Sequence, residues 1–187
     1  MRAILYVGSF LLWVVFGWIS LYVASVIRPQ FNSYELINGF LESSYVSRLE
    51  VGALCIVALI LLGCVHEGIH GTFLWIFSGR RPRFGFKTLN PYAALASGAF
   101  CTRNQAILCV LAPILIITIL GGIALLYVPL TAIPILLILV STNVAISISD
   151  LIQSCWLLSR KHDILFGFDG VSSVAYEPSG ATKVHDE

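Results

Sequence analysis

The chain has 187 residues, 58% of them hydrophobic and only 11% charged, with a formal net charge of +1. Soluble domains carry about 25% charged residues, so this composition excludes an ordinary water-soluble enzyme. With a mean hydropathy of +0.90 it indicates an integral membrane protein.

Four apolar runs reach the roughly 20 residues that a helix needs to cross a bilayer. They cover residues 3–27, 51–77, 106–128 and 133–158. The first begins after Arg2 and is about 25 residues long, more than the 7–15 of a signal-peptide core, so it reads as a retained anchor. Pro129, Thr131 and Pro134 separate the last two runs. The expected fold is an all-α membrane protein, a bundle of four transmembrane helices with a short β-hairpin between the second and third. One transmembrane domain then spans 1–159, followed by a polar cytoplasmic tail over 160–187, in which His162 and His185 read as solvated.

Basic residues set the orientation, because Lys and Arg collect on the cytoplasmic side of a membrane. Five of them (Arg80, Arg81, Arg83, Lys87 and Arg103) lie between the second and third runs. Arg2 precedes the first run, and Arg160, Lys161 and Lys183 follow the last. With both termini cytoplasmic, nine of the eleven basic residues face the cytoplasm. The expected location is the cell membrane. The basic middle segment reads as loop retention and contact with anionic lipid, not as a nucleic-acid surface. The five cysteines are odd in number and form no CxxC pair, so they read as small packing residues and not as a disulfide framework.

The second run contains "LLGCVHEGIHGTFLWIF", in which His66, Glu67 and His70 interrupt an otherwise lipid-compatible stretch. HEGIH matches H-E-x-x-H. Residues four apart share a helix face, so His66 and His70 can offer imidazole nitrogens to one zinc ion, with Glu67 placed as general base for a water. A chance match in a chain this poor in His and Glu has odds on the order of one in several hundred. The competing explanation is a hydrogen-bonded polar pair that holds helices together, but three ionisable residues inside a span are an expensive solution to that need.

A catalytic zinc usually takes three protein ligands and keeps one position open. Besides Glu67, Asp150 is the only acid inside an expected span. His66 lies about eleven residues before Phe77, and Asp150 about eight before Leu158. Both spans descend toward the cytoplasm, so at 1.5 Å per residue the two depths differ by about 4–5 Å. Asp150 is the candidate third ligand; an ion pair, an outer contact to a histidine or a proton path are its other possible roles. Asn143, Ser147, Asp150 and Ser154 recur at helical spacing on one face. The serines read as interhelical hydrogen-bonding groups, and Asn143 either as packing or as a group that orients a substrate carbonyl or a ligand.

Between the second and third runs, "RFGFK" alternates as a short strand does, Asn90-Pro91 signals a turn, and 92–100 offers a second extended run. Such an edge can align an unwound substrate by strand addition; a membrane-hugging loop with Phe84, Phe86 and Tyr92 at the headgroups is the alternative. Pro113 inside the third run is expected to kink its helix, and Gly121-Gly122 to admit a close helix neighbour. Both read as packing features.

Together these residues resemble the putative zincin peptidase family of small multi-pass membrane proteins, itself similar to the site-2 intramembrane proteases. The resemblance rests on HEGIHG, RPRFGFK, LAPILI and NVAISISD and covers roughly residues 51–159. It implies an intramembrane zinc metalloprotease with one zinc per chain on His66, His70 and Asp150, Glu67 as the base, and a membrane-embedded peptide or protein as substrate. Asp150 is followed by Leu151, where site-2 proteases commonly carry Asp-Gly. A non-catalytic zinc-binding membrane protein, or a scaffold retaining an inactive protease site, is the alternative.

Overall fold

The computed structural model describes residues 2–34, 38, 45–87, 90–96, 98–162, 164–168 and 173–176. The helices are α1 (Arg2–Ile27), α2 (Tyr45–Ser78), α3 (Arg103–Leu125), α4 (Ile133–Ile146) and α5 (Ile148–Leu158), with a 3-10 turn at Leu130–Ala132. The strands are β1 (Arg83–Lys87), β2 (Asn90–Ala94), β3 (Cys101–Thr102), β4 (Leu165–Phe168) and β5 (Ser173–Tyr176). β1 and β2 form an antiparallel hairpin, and β4 lies between β3 and β5 in a second antiparallel sheet. Among the described residues, four segments are long and apolar enough to cross a membrane: Leu5–Ile27, Ser47–Ser78, Arg103–Leu125 and Leu130–Leu158. Large apolar side chains such as Phe10, Leu54, Ile60, Leu115 and Ile119 are exposed along them. Water would drive such a surface to bury itself, whereas lipid accepts it. The protein is therefore a membrane protein with a hairpin between its second and third long helices.

Local sequence explains where these helices stop and start. α2 ends at Gly79, whose φ of 66° is open to glycine at little cost, and the Gly79 amide closes on the Trp75 carbonyl at 2.9 Å. Pro82 follows and cannot continue a helix, the usual sequel to a glycine stop. α3 begins after Thr102 in the pattern Thr-Arg-Asn-Gln. The Gln105 side chain accepts the Thr102 amide at 2.9 Å, one half of a capping box. The last span is not one helix. The Ser147 amide and hydroxyl both donate to the Asn143 carbonyl, at 3.1 and 2.8 Å, and ψ at Ser147 falls to 6°. A serine bonding back to the preceding turn bends a helix, and α5 restarts at Ile148.

The chain divides into two compact units. The first comprises Met1–Gly63 and Ile116–Ile148. In it, α1 packs on α4: Trp13 Nε1 donates to Thr142 Oγ1 at 3.2 Å, and Gly17 faces the Ser141 hydroxyl. A Cβ on Gly121 would stand 2.3 Å from Val140, so this glycine does admit a close neighbour, while Gly122 meets nothing within 4 Å. The Arg28 guanidinium donates to the carbonyls of Leu125, Leu126 and Val128, acceptors that the end of α3 leaves over.

The second unit comprises Cys64–Leu115 and Ser149–Glu187. Its core joins Leu74 of α2, Leu95 after β2, Val110 of α3, Leu157 of α5 and Phe166 of β4. Part of the stretch expected as a polar tail is thus folded: Phe166 is fully buried, its ring edge-on to Trp156 with centroids 5.7 Å apart. His162 is exposed, as its place in the sequence suggests, and contacts the Arg103 guanidinium. The Leu95 amide donates to the Phe168 carbonyl at 2.8 Å, tying the end of the hairpin to β4. Phe166→Ala should therefore cost about 3–5 kcal/mol, the range for emptying a buried aromatic site. A thermal melt in detergent reads this; an unchanged midpoint would mean that β4 contributes no packing.

Candidate metal centre

His66, Glu67 and His70 lie on the second-unit part of α2, with the two imidazoles on one face a single turn apart. Their rings meet edge-to-face with centroids 4.9 Å apart. One donor atom from each of the three residues falls within 4.8 Å of the others, a group that can hold a metal ion. Asp150 comes to them from the first turn of α5, where the helix dipole favours a carboxylate. Its Oδ2 lies 3.2 Å from His66 Nε2 and 3.6 Å from His70 Nε2. Only 4% of His66 is exposed, so neither ring nor carboxylate can rely on water to satisfy it.

The far side of the His70 ring decides what its near side can do. His70 Nδ1 is 2.8 Å from the carbonyl oxygen of Cys109 in α3. A carbonyl only accepts, so Nδ1 carries the hydrogen and a neutral His70 presents a bare lone pair at Nε2. That lone pair faces the Asp150 carboxylate, acceptor against acceptor. Were the histidines there to glue helices together, His70 would spend its one proton on Asp150. With Nδ1 on Cys109, the unprotonated Nε2 of a neutral His70 and the Asp150 carboxylate form a pair of donors to which a cation is suited.

Zinc meets that requirement geometrically. Tetrahedral zinc with ligands at about 2.0–2.1 Å sets its ligand atoms roughly 3.3 Å apart, between the 3.2 and 3.6 Å observed for the carboxylate and the two imidazoles. Two neutral nitrogens and one anionic oxygen are also a donor set that zinc favours.

Glu67 is turned toward the hairpin. Its Oε2 accepts the Ala93 amide of β2 at 3.0 Å. The hairpin register makes this bond available. Phe84 pairs with Ala93 and Phe86 with Pro91, and Pro91 has no amide to give. Ladder bonds in an antiparallel pair alternate, so they fall at Arg83–Ala94, Gly85–Tyr92 and Lys87–Asn90, and Ala93 points its N–H outward to Glu67. The hairpin is also seated beside His70. A Cβ on Gly71 would stand 2.3 Å from the tip of the Phe84 ring, so the bare glycine makes room for that ring.

The structure thus gathers His66, Glu67, His70 and Asp150 in the second unit. Asn143 belongs to the first unit, fully buried, with its carbonyl engaged by Ser147. The five cysteines are free. Cys101, just ahead of α3, has its pKa drawn below the ordinary thiol value by a hydrogen bond from the Cys109 thiol, with burial opposing. Two contributors escape a reading of side chains, because both are main-chain groups: the Cys109 carbonyl and the Ala93 amide. Pro91 is the one sequence signal for the second, since a proline inside a strand marks the outward-facing positions.

Residues 59–165, more than half of the chain, match the family described as "Putative zincin peptidase". The match runs through His66–His70, the hairpin, α3 and α5, the elements from which the cluster is built. No curated protein and no solved structure matches the chain. A metal-compatible H-E-x-x-H cluster and a family match across every element that forms it agree: the chain belongs to the putative zincin peptidase family.

Proposed function

We propose that this protein is an intramembrane zinc metalloprotease that hydrolyses peptide bonds in membrane-spanning or membrane-adjacent substrates. The observation that carries the reading is the approach of Asp150 Oδ2 to His66 Nε2 and His70 Nε2, at 3.2 and 3.6 Å, beside the H-E-x-x-H group, with His70 Nδ1 against the Cys109 carbonyl. His66, His70 and Asp150 would hold one zinc. When bound, zinc polarises a peptide carbonyl and makes water acidic enough to ionise near neutral pH.

The remaining work falls to the chain. Glu67 accepts the proton of the attacking water and returns it to the leaving amine nitrogen. The Ala93 amide engages one oxygen of that carboxylate and so fixes its direction, leaving the other to carry the proton. His70 keeps its ring plane through Nδ1, so that Nε2 faces the metal whether or not substrate is present.

The hairpin supplies the dock for an extended substrate. Along the outward edge of β2, Ala93 serves Glu67, Leu95 serves Phe168, and Pro91 has no amide. The edge that can receive a strand is therefore that of β1, where the alternation turns the main chains of Phe84 and Phe86 outward. The helices run with both termini on the cytoplasmic side of the cell membrane, a reading supported by the distribution of Lys and Arg around the four spans.

Zinc content is the first test. Purified wild type should carry about one zinc per chain, and His66→Ala and Asp150→Ala should each lose it, as removal of one of three ligands requires. A folded, zinc-free wild type that stays empty after zinc is added would leave only a scaffold. Glu67→Gln should keep its zinc while cleavage of a membrane substrate falls by about a hundredfold or more, the scale of a lost general base. Undiminished cleavage by zinc-loaded Glu67→Gln would remove Glu67 from the chemistry, and a metal-loaded but inert wild type would favour a metal-binding protein. Phe86→Pro deletes one outward amide of β1 without touching the ladder, and should impair cleavage at unchanged zinc content. Normal cleavage by a folded Phe86→Pro protein would reject the β1 dock.

A further inference from the structure

Pro113 lies in the interior of α3, fully buried. In a regular α-helix the amide of residue 113 would donate to the carbonyl of residue 109. Proline has no such hydrogen, and its ring also presses on the carbonyl one turn back. The carbonyl deprived of its helical donor is therefore that of Cys109, and this is the oxygen that His70 Nδ1 reaches at 2.8 Å.

From this register we infer that Pro113 is a positioning residue for the metal centre. It acts through Cys109. By withholding the amide, it leaves a main-chain acceptor facing α2 at the level of His70. That acceptor takes the His70 Nδ1 hydrogen, selects the tautomer with a free lone pair at Nε2, and holds the ring toward Asp150. Histidine ligands commonly donate their second ring nitrogen to an oxygen acceptor, and losing that partner costs about 10–100-fold in metal affinity. A side-chain acceptor inside a span would bring its own desolvation cost; a carbonyl already present in the helix adds no new polar group.

The inference rests on the reading of His66, His70 and Asp150 as metal ligands, and it is tested by metal affinity, without any substrate. Two replacements at position 113 separate the missing hydrogen from the shape of the ring. Pro113→Ala restores the amide, which then competes with His70 for the Cys109 carbonyl. Lactic acid, placed at 113 by nonsense suppression, has the same methyl side chain but an ester oxygen in place of the N–H. Both variants lose the ring and share any cavity it leaves, so they differ at the linkage alone: the ester has no N–H for the Cys109 carbonyl, and its Ala112 carbonyl is a weaker acceptor than that of the amide.

Zinc affinity would be measured by competition with a chromophoric chelator for wild type and both variants in the same detergent. The expected result is a loss of about 10–100-fold in Pro113→Ala, with the lactic acid variant returned to within about threefold of wild type. Equal affinities for the two variants, whether both weak or both like wild type, would overturn the inference while leaving the metal site intact. A wild type with no zinc affinity would overturn both together. Circular dichroism of the metal-free proteins confirms that each is folded, and His70→Ala gives the floor against which the Pro113→Ala loss is measured.

Discussion

Two imidazoles and a carboxylate are held against one another inside segments otherwise made for lipid, and the need to satisfy them constrains the structure around them. An ionised side chain at the centre of a membrane helix costs about 2.5–3.5 kcal/mol on insertion scales, against a total stability of about 5–15 kcal/mol for a typical protein. The cluster is tolerable only where each polar atom has a partner. His70 Nδ1 has Cys109, Glu67 Oε2 has Ala93, and Asp150 lies against both histidines. The residues that supply these partners, Cys109 of α3, Ala93 of β2 and Asp150 of α5, belong to the same unit as the motif. Each of these elements departs from regularity where it meets the cluster.

Those departures have a common chemistry. The last span breaks at Ser147 and restarts, so that Asp150 sits in the first turn of a helix and not in the middle of one. There the helix dipole favours a carboxylate. α3 carries a proline that strips one carbonyl of its donor. β2 carries a proline two residues before Ala93, on the strand edge where an amide is not needed for the ladder. In α3 and β2 a main-chain group outside the regular bonding pattern meets the cluster, the Cys109 carbonyl and the Ala93 amide. A membrane protein cannot leave such groups facing lipid, so their placement at the polar site is energetically coherent.

Much of this architecture was legible in the residues. Hydropathy alone located the spans within a few residues, because lipid imposes length and apolarity together. The pairing of His66 and His70 followed from helical spacing, and the approach of Asp150 from counting residues to the membrane edge. The hairpin was visible in the alternation of RFGFK, although Asn90 and Pro91, expected as a turn, lie in β2 opposite Lys87 and Phe86. What stayed hidden has a physical reason in each instance. The Cys109 carbonyl and the Ala93 amide are main-chain groups, identical at every position until a fold selects one. Pro113 was visible, yet its consequence lies four residues earlier and on another helix, so it read as a packing feature. The strands at 165–168 and 173–176 escaped because Gly167 and the polar residues around them resemble a loop, while Phe166 alone drives the burial. The Thr-Arg-Asn-Gln start of α3 was there to be read as a capping box.

The hairpin links two requirements of the proposed chemistry that could have been separate. One of its edges holds the carboxylate of Glu67, and the other, about 4.8 Å away across a single ladder, is where an extended peptide would pair. Both edges belong to the same two strands, and those strands are braced by Phe84 on Gly71 at one point and by Leu95 on Phe168 at another. A strand that adds to β1 therefore stiffens the element that aims the base. Added strands gain ladder bonds and lose the freedom to twist independently, so docking of the proposed substrate would better define the direction of the Ala93 amide. Under the proposed docking, ordering of the substrate would be coupled to ordering of Glu67. A folded substrate helix, with its amides already spent on its own carbonyls, would supply neither. The selectivity expected of such a protease is then for segments that unwind readily at the depth of His66 and Asp150, more than for any particular side chain.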